Sequence, residues 1–557
     1  MIFTFTKSKP HQFSLSEIIL FFFVLLFIIL GKIIWHGVLL SPDSLIYLDS
    51  ALNVIRGNGC VHSFVLTSDI LSWDGRKFVP VGYWSPGYIY FLASILMLFD
   101  VSDGVYIELA QGLLLCVTYL LIALLPFYEK KGSGICTLTV SLLTFPITYT
   151  FSWLWSEGLS SIFLITYLFF CVIGIKRNKL LNWFVVGILA GICFLIRYVS
   201  ICLVLFSILL LFSQYFLNLF RKSAISVLNS GKVLDKNEIK VLIYKILLLL
   251  LGWSILAGPL FLRNYFLTGS VLGYTRESSL RSFSENLKCA ISTIFYNWFD
   301  PELIPLELQG SLILSLFMFL LLLVIWKRKY MDVLNWVLRP ETLVLLFWTL
   351  FYIAFVVFYS SVYSIDVIGL RLLFPAFLSL IVLIGAFISN LINILNRFSS
   401  CVVCGVSLLV FSLSYPYSSD TSFTLRQLSS KERIKWVCEN TTSEDLILGD
   451  STFDLSIFCG VRRSICFIPG SKKDSPPEYE LIKNLLHTKP PNAKFYVVLR
   501  KAIPLDTHFR SEWKEWFGET LANLFFNGSF NNLRVDKFEK GKDFLAVEVK
   551  VENYGVE

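Results

Sequence analysis

Charged residues are scarce in this chain. They make up 16% of its 557 residues, whereas 55% of the residues are hydrophobic and the mean hydropathy is +0.69. A soluble protein of this size needs more polar surface, so the composition excludes a soluble class. The hydrophobic residues form repeated runs of about 17–25 residues, the length that crosses a bilayer as a helix. The sequence therefore predicts a polytopic α-helical membrane protein.

Several signatures of soluble enzymes are also missing. No Gly-rich loop follows the strand-like segment LILGD (446–450), so a phosphate-binding loop is not indicated there. Cys401 and Cys404 have CxxC spacing but lie in an apolar run, and we interpret most cysteines as small core residues rather than metal ligands. Two of the residues Cys438, Cys459 and Cys466 could form a disulfide, but the spacing alone does not predict which two.

The apolar runs predict eleven membrane spans with the N-terminus inside. Lys and Arg are enriched in cytoplasmic loops, and this orientation makes every inside segment basic, as in EKK (129–131) and KRNK (176–179). The apolar stretch at 86–99 is too short to cross a core about 30 Å thick, so we expect a re-entrant or interfacial helix there. The first run has no cleavage pattern and is interpreted as a retained span. The predicted spans are 16–34, 105–128, 134–152, 157–175, 181–196, 199–219, 241–261, 309–326, 342–361, 368–393 and 399–416.

This topology places three segments on the outer face: the loops at 35–104 and 263–308, and the tail after about residue 417. The tail alternates strand-like and helical segments, which is typical of a small α/β domain. These segments are LILGD (446–450), SICFIP (464–469), KFYVVLR (494–500) and the helices at 476–487 and 509–525. We therefore predict a transmembrane domain at 1–416, which includes the loop at 35–104, and a soluble α/β domain at 417–557.

Six ionisable residues fall at the outer ends of the predicted spans. A single such residue is explained as an anchor that extends its head to water, and a transporter more often carries acids near the bilayer midplane. Three acids and three arginines at one boundary favour instead a substrate with a lipid tail and an anionic head. Arginine binds phosphate through charge-assisted hydrogen bonds, worth roughly 1.5–3 kcal/mol each. The six are Asp43, Glu157, Arg197, Arg263, Asp366 and Arg371.

The segment SPDSLIYLDSALNVIRGNG (41–59) follows the first span and reads as a helix over 41–56 that ends at Gly-Asn-Gly. Asp43, Tyr47 and Ala51 recur every fourth residue and share one helical face. Asp49 lies about 240° around the helix from Asp43, so the two carboxylates do not form a pair. The pattern favours Asp43 as a single acting carboxylate and Asp49 as a solvated residue.

Five stretches in series resemble the GT-C membrane glycosyltransferases, which include the protein O-mannosyltransferases and the lipid A aminoarabinose transferases. PDSLIYLDSALNVIRGNG (42–59) resembles their Asp-x-x-x-Tyr-x-x-x-Ala…Gly-x-Gly segment, and YWSPGYIYFLASILMLF (83–99) resembles their His-Pro-Pro-Leu juxtamembrane helix. WLWSEGLSS (153–161) resembles their second acidic position. GPLFLRNYFLTGSVLG (258–273) is similar to their Pro-Trp-x-x-Arg-Asn-x-x-x-x-Gly block, and GLRLLFPAF (369–377) is similar to their Arg-x-x-x-Pro motif.

The resemblance implies a GT-C-like enzyme that moves a sugar, with inversion, from a polyprenyl phosphate to an acceptor on the outer face. Asp43 would be the general base, and Glu157, together with Tyr47, would orient the acceptor or a metal. Arg263 and Arg371, with Arg197 beside them on the rim, would bind the phosphate of the leaving lipid. The chain departs from the family pattern at Asp43-Ser44, where members often have Asp-Glu, and at Glu157, where they often have Asp. The resemblance does not decide whether the enzyme uses a divalent cation as a cofactor.

Other functions stay open at this point. A flippase or transporter of a lipid-linked or anionic solute would use the same rim charges, and a GT-C polysaccharide polymerase or ligase would share the same motifs. A receptor would use the tail to bind a glycan or a protein partner. The acceptor is a lipid, a glycan or a protein. The plain tail favours a bacterial inner membrane over the endoplasmic reticulum, with the C-terminal domain in the periplasm.

Overall fold

The computed structural model of the chain is mostly helical, with short strands between residues 39 and 80 and further strands in its C-terminal part. It describes residues 26–27, 31, 37–66, 78–98, 105–124, 137–138, 140–142, 144–226, 236–274, 278–299, 301, 304–305, 307–312, 314–315, 335–365, 367–392, 423–424, 432–449, 455, 459, 463–466, 479–488, 492–500, 510–541 and 544–551. The helices within them are α1 (Pro42–Ile55), α2 (Pro86–Leu98), α3 (Val105–Leu124), α4 (Phe145–Ser152), α5 (Ser156–Arg177), α6 (Leu180–Ile196), α7 (Cys202–Ser226), α8 (Lys236–Thr268), α9 (Phe283–Tyr296), α10 (Pro340–Val362), α11 (Leu370–Ile392), α12 (Glu432–Asn440), α13 (Tyr479–Thr488) and α14 (Arg510–Asn527). The strands are β1 (Leu39–Leu40), β2 (Val61–His62), β3 (Phe64–Leu66), β4 (Val79–Pro80), β5 (Phe423–Thr424), β6 (Leu446–Gly449), β7 (Arg463–Cys466), β8 (Phe495–Arg500), β9 (Ser529–Phe530), β10 (Leu533–Lys540) and β11 (Phe544–Val551).

Six helices of the described chain are long and apolar enough to cross a membrane. They lie in α3, α5, α7 with the turn before it, α8, α10 and α11, and each coincides with a predicted span. The predicted span at 181–196 is an apolar helix of 17 residues, α6. The predicted span at 134–152 is described in part and contains the short helix α4. The predicted spans at 16–34, 309–326 and 399–416 lie largely or wholly outside the described residues. The count of eleven therefore stays a prediction.

The described chain forms two compact units. The membrane unit comprises 1–38, 82–88 and 108–418, and the sheet unit comprises 39–81, 89–107 and 419–557. Most of the predicted outer loop therefore groups with the C-terminal part of the chain.

Glycines let two helices of the membrane unit approach closely. A Cβ on Gly187 of α6 would lie 2.1 Å from the carbonyl oxygen of Leu249, and one on Gly252 of α8 would lie 2.4 Å from that of Phe184. Such distances leave no room for any side chain, so α6 and α8 pack backbone against backbone. Small residues at a helix crossing are the usual means of close packing between membrane helices.

The expected helix at 86–99 is confirmed as α2, which has 13 residues and a length of about 20 Å. Its beginning packs on the end of α6. The Ser85 hydroxyl donates to the Phe194 carbonyl at 3.1 Å, and a Cβ on Gly87 would lie 2.5 Å from the Leu195 oxygen. Its placement in the membrane stays a prediction.

The sheet unit contains a seven-stranded sheet in the order β3-β7-β6-β8-β11-β10-β9. Strands β3, β7, β6 and β8 are parallel, and β8, β11, β10 and β9 pair antiparallel. The three predicted strands and two predicted helices are confirmed, whereas α12, β10, β11 and the contribution of β3 were not predicted. The disulfide joins Cys438 of α12 to Cys459, with their Cα atoms 4.8 Å apart.

Helix α1 begins and ends as the sequence predicts. Ser41 caps it in a reciprocal arrangement with Ser44, and Pro42 occupies the first turn. The helix ends at Gly57 and Gly59, whose φ angles of +81° and +83° suit residues without a Cβ.

The expectation of a solvated Asp49 was wrong. Its side chain is 0% exposed and accepts hydrogen bonds from the Ser63 amide at 2.6 Å and the Ser63 hydroxyl at 3.0 Å. Asn53, also fully buried, donates to the same carboxylate at 3.4 Å. A buried carboxylate is tolerated because these donors replace water. Asp49 therefore holds the segment before β3 against α1.

Candidate functional site

A break between two helices places the first residue of the site. Helix α4 ends at Ser152, and Trp153 and Trp155 are extended before α5 begins at Ser156. Glu157 therefore lies in the first turn of α5, where the helix dipole favours a negative charge. The two tryptophan rings stack at 5.1 Å with an angle of 7° between their planes.

Glu157 joins two arginines from distant parts of the chain. Its Oε1 accepts from Nε of Arg371 at 2.7 Å and lies 3.0 Å from Nη2 of Arg197. The Ser156 hydroxyl donates to Oε2 at 3.3 Å. Arg197 directly follows α6, and Arg371 lies in the first turn of α11. The structure thus brings together three of the predicted site residues, which are separated by up to 214 positions.

The cluster of Glu157, Arg197 and Arg371 combines one buried carboxylate with two partly buried guanidinium groups. The Glu157 side chain is 0% exposed, whereas those of Arg197 and Arg371 are 11% and 22% exposed. Burying an ionised carboxylate is costly without such partners. The Arg371 guanidinium also lies 4.7 Å from the ring centre of Trp155, within the range of a cation–π contact. Guanidinium groups bind phosphate through charge-assisted, bidentate hydrogen bonds, so the cluster contains the residue type that recognises an anionic head group.

Arg263 is connected through hydrogen bonds to Tyr198, the residue that follows Arg197 of the cluster. Its Nη1 donates to Oδ1 of Asn264 at 3.1 Å, and the Tyr198 hydroxyl donates to the same oxygen at 3.2 Å. Asn264 is 0% exposed and donates to the Val271 carbonyl at 3.3 Å. Tyr198 is the residue after Arg197, so the two arginines are linked through neighbouring side chains.

The position of Arg263 differs from the prediction in one respect. The predicted span ended at residue 261, whereas α8 extends to Thr268, so Arg263 lies inside the helix. The helix ends where Gly269 takes a φ of +72°. The polar residues after Leu262 lowered the hydropathy and ended the predicted span, but they do not break a helix.

Asp43 and Tyr47 lie on α1, in the sheet unit. Asp43 is half-buried in the first turn, and the face that it shares with Tyr47 and Ala51 is covered, because these two are 4% and 0% exposed. Asp366 lies outside the described residues. The roles of Asp43 and Tyr47 stay predictions.

Sequence reasoning missed four residues of the site: Trp155, Ser156, Tyr198 and Asn264. Each is adjacent in sequence to a predicted residue or, like Trp155, two positions from one. The SWLWSE and RN patterns could have suggested them, since aromatic rings and amides commonly orient a neighbouring guanidinium.

No protein-family model and no curated protein matches the chain. It is similar to two crystal structures of ArnT from Cupriavidus metallidurans. One, bound to undecaprenyl phosphate, aligns with a TM-score of 0.54 and 11% identity over 96% of this chain and 98% of that chain. The other, in the apo state, aligns with a TM-score of 0.53 and 12% identity over the same shares of both chains. The chain has the GT-C fold.

This finding confirms the fold that the five sequence stretches implied. The likeness covers the sheet unit as well as the membrane unit, because it extends over 96% of the chain. Together with the apolar helices, the GT-C fold makes the chain an integral membrane protein. At 11–12% identity the likeness is one of fold.

Proposed function

We propose that the chain is an inverting glycosyltransferase that moves a sugar from a polyprenyl-phosphate donor to an acceptor hydroxyl on a lipid, a glycan or a protein. The observation that carries the proposal is the cluster of Glu157, Arg197 and Arg371 at the beginning of a membrane helix. Its two partly exposed guanidinium groups suit a lipid phosphate. The proposal is supported by the fold, since an ArnT structure of this fold is bound to undecaprenyl phosphate.

Glu157 orients the two arginines toward the phosphate in this proposal. The contact with Glu157 uses the Nε–H of Arg371. Buried guanidinium groups held by a carboxylate are already ordered, so less side-chain entropy is lost when an anion binds. Arg263, connected through Asn264 and Tyr198, contributes a third positive charge. Arginines arranged in this way stabilise the negative charge that develops on the departing lipid phosphate.

Asp43 is the proposed general base. It removes the proton from the acceptor hydroxyl as the oxygen attacks the anomeric carbon. The bond between that carbon and the phosphate oxygen breaks on the opposite face, so the configuration inverts and the lipid phosphate leaves with its electron pair. Tyr47, on the same helical face, is proposed to help orient the acceptor. The reaction takes place on the outer face of a bacterial inner membrane, where the C-terminal part also lies.

Binding of undecaprenyl phosphate to the purified full-length chain tests the phosphate site. We expect Arg371→Ala and Arg197→Ala each to weaken binding about 10–100-fold, the value of one charge-assisted hydrogen bond. Arg177→Ala is the matched control, because this exposed arginine lies at the other end of α5, about 30 Å from Glu157. Uncharged undecaprenol should bind both variants and the native chain alike. Unchanged undecaprenyl phosphate binding in both cluster variants would contradict the proposal.

Mass spectrometry of lipid-linked sugars that accumulate in a deletion strain identifies the donor for an activity assay. With that donor, Asp43→Asn should abolish sugar transfer while undecaprenyl phosphate binding is kept. Transfer at the native rate would rule out Asp43 as the base. Coupled flux into vesicles that survives Asp43→Asn would instead indicate a flippase or transporter.

A further inference from the structure

Helix α9 is an amphipathic helix of the membrane unit that is too short to cross a bilayer. It spans 14 residues, Phe283–Tyr296, and its length is about 21 Å. Ser282 and Glu285 form a capping box at its beginning: the Glu285 amide donates to the Ser282 hydroxyl at 3.3 Å, and the Ser282 amide donates to the Glu285 carboxylate at 2.8 Å. The helix therefore starts at a defined residue.

One face of α9 packs on the protein with small and polar residues. Asn286, Ala290 and Thr293 are 1%, 0% and 7% exposed. Asn286 donates to the Ser361 hydroxyl at 3.1 Å, and Thr293 donates to the Ile368 carbonyl at 3.2 Å. The usual pattern of a soluble protein, with large apolar residues inward, is thus reversed in this helix.

A second face carries large apolar residues that the protein does not cover. Phe283, Leu287, Ile291 and Phe295 recur every fourth residue and are 55%, 37%, 48% and 42% exposed. Leu280, just before the helix, is 93% exposed. A third face is polar and exposed, with Glu285, Lys288 and Ser292. These are three separate surfaces, one for the protein, one apolar and one polar.

The beginning of α9 is attached to the end of a membrane-crossing helix. The Ser279 amide donates to the Val362 carbonyl at 3.0 Å, and Ser278 forms a β-bridge with Tyr363. Helix α10 ends at Val362 and carries its own uncovered apolar row along a candidate span. That row consists of Leu346, Leu350, Phe358 and Val362, which are 37%, 60%, 62% and 41% exposed. The apolar row of α9 thus begins where the uncovered apolar row of α10 ends.

We propose that α9 lies in the water–lipid boundary with its apolar row inserted among the acyl chains. A lipid surface explains all three faces of the helix. Asn286, Ala290 and Thr293 contact the protein, the apolar row contacts the bilayer, and the polar residues contact water. Because the row continues the lipid-facing surface of α10, the bilayer reaches α9 without any additional partner. Thr293 attaches the same helix to Ile368, three residues before Arg371, so the lipid-bound helix is adjacent to the segment that enters the cluster.

Site-specific photo-crosslinking in native membranes tests this placement on the full-length chain. Leu287 and Ile291 are replaced one at a time by p-benzoylphenylalanine, and lipid adducts are measured by mass spectrometry after illumination. The matched control is Ser292, which is exposed on the same helix about 140° from Leu287. Phe358 of α10 is the positive control for lipid contact.

We expect lipid adducts at Leu287 and Ile291 at a level close to that at Phe358 and several-fold above that at Ser292. Crosslinks from Leu287 or Ile291 to a second copy of the chain, without lipid adducts, would overturn the proposal. Adducts at Phe358 with none at either α9 position would overturn it as well. Elution of each substituted chain as the native form shows that α9 is being tested in the folded protein.

Discussion

At the scale of single residues, the geometry of the cluster depends on Glu157. Helical hydropathy placed Glu157, Arg197 and Arg371 at one membrane boundary, but the contacts among them arise from the packing of α5, α6 and α11. A carboxylate that is 0% exposed holds two guanidinium groups within 3.0 Å. Its main effect is therefore on the position of the arginines, which is consistent with its proposed role in phosphate binding.

Replacing Glu157 by Gln should lower the free energy of unfolding by about 3–5 kcal/mol, because two largely buried cations lose their counter-charge. The change is measured as thermal unfolding of the purified chain. Undecaprenyl phosphate should raise the unfolding temperature of this variant more than that of the native chain, since the phosphate supplies the missing negative charge.

Ser156→Ala is the control for this variant. It removes the hydroxyl at 3.3 Å from the same carboxylate but no charge, so we expect a loss below about 1.5 kcal/mol. Equal losses in the two variants would show that the charge of Glu157 does not hold the cluster.

His62 gives the sheet unit a dependence on pH. Burial lowers the pKa of His62 from 6.5 to about 4, although a hydrogen bond between Nδ1 and the Phe64 carbonyl at 2.7 Å partly opposes the shift. Above pH 6.5 the ring is neutral in both the folded and the unfolded chain, so it has no effect on stability there. As the pH falls from 6.5 to about 4, the unfolded chain binds a proton that the folded chain does not.

The unfolding temperature should therefore decrease over this pH range, by an amount that corresponds to about 3 kcal/mol at the acid end. His62→Gln should remove this part of the decrease, because glutamine does not titrate. Parallel decreases in the native chain and in the variant would assign the acid sensitivity to other groups.

At the scale of elements, the crossing of α6 and α8 depends on the absence of side chains. Gly252→Ala places a Cβ 2.4 Å from the Phe184 oxygen, which forces the two backbones apart. We expect a loss of at least 1–3 kcal/mol, the usual cost of overpacking. In the same helix a Cβ on Gly258 would have nothing within 4 Å apart from its chain neighbours, of which Pro259 disfavours a Cβ in a helix, so Gly258→Ala should cost less than about 1 kcal/mol. Thermal unfolding of the two variants distinguishes the effects, and equal stability would contradict the close crossing.

Several elements were predictable from the sequence and others were not. The Gly-Asn-Gly stretch after α1 is a local signal, and it predicted the end of this helix. Asp49 was misassigned because helical phase says which residues share a face but not what covers that face. The edge strand β3 was missed because it pairs with β7, which lies about 400 residues later in the chain. Such pairing leaves no local pattern.

At the scale of the whole molecule, the C-terminal sheet depends on the first loop. Strand β3 supplies one edge, with Phe64 opposite Ser464 and Leu66 opposite Cys466, and Phe64 is 2% exposed. A fragment of residues 417–557 lacks this strand and leaves the edge of β7 uncovered. An uncovered strand edge pairs readily with other chains.

We therefore expect the fragment 417–557 to form soluble aggregates in size-exclusion chromatography. A fusion that adds residues 39–81 should increase the monomer fraction. As a control, adding residues 39–60, which end before β3, should leave the monomer fraction low. A monomeric, folded fragment 417–557 would show that the sheet does not need the loop.

The sequence by itself determined that the chain is a helical membrane protein, which segments form most of its described helices, and that it resembles the GT-C enzymes. These properties follow from composition, from periodicity and from local end signals, all of which are short-range. The tertiary structure decided that Glu157 binds Arg197 and Arg371, that Asn264 connects Arg263 to Tyr198, that Asp49 is buried, and that α9 turns its apolar row away from the protein. Each of these depends on which surfaces of distant elements meet, and contacts between side chains up to 214 positions apart are decided only when the helices pack.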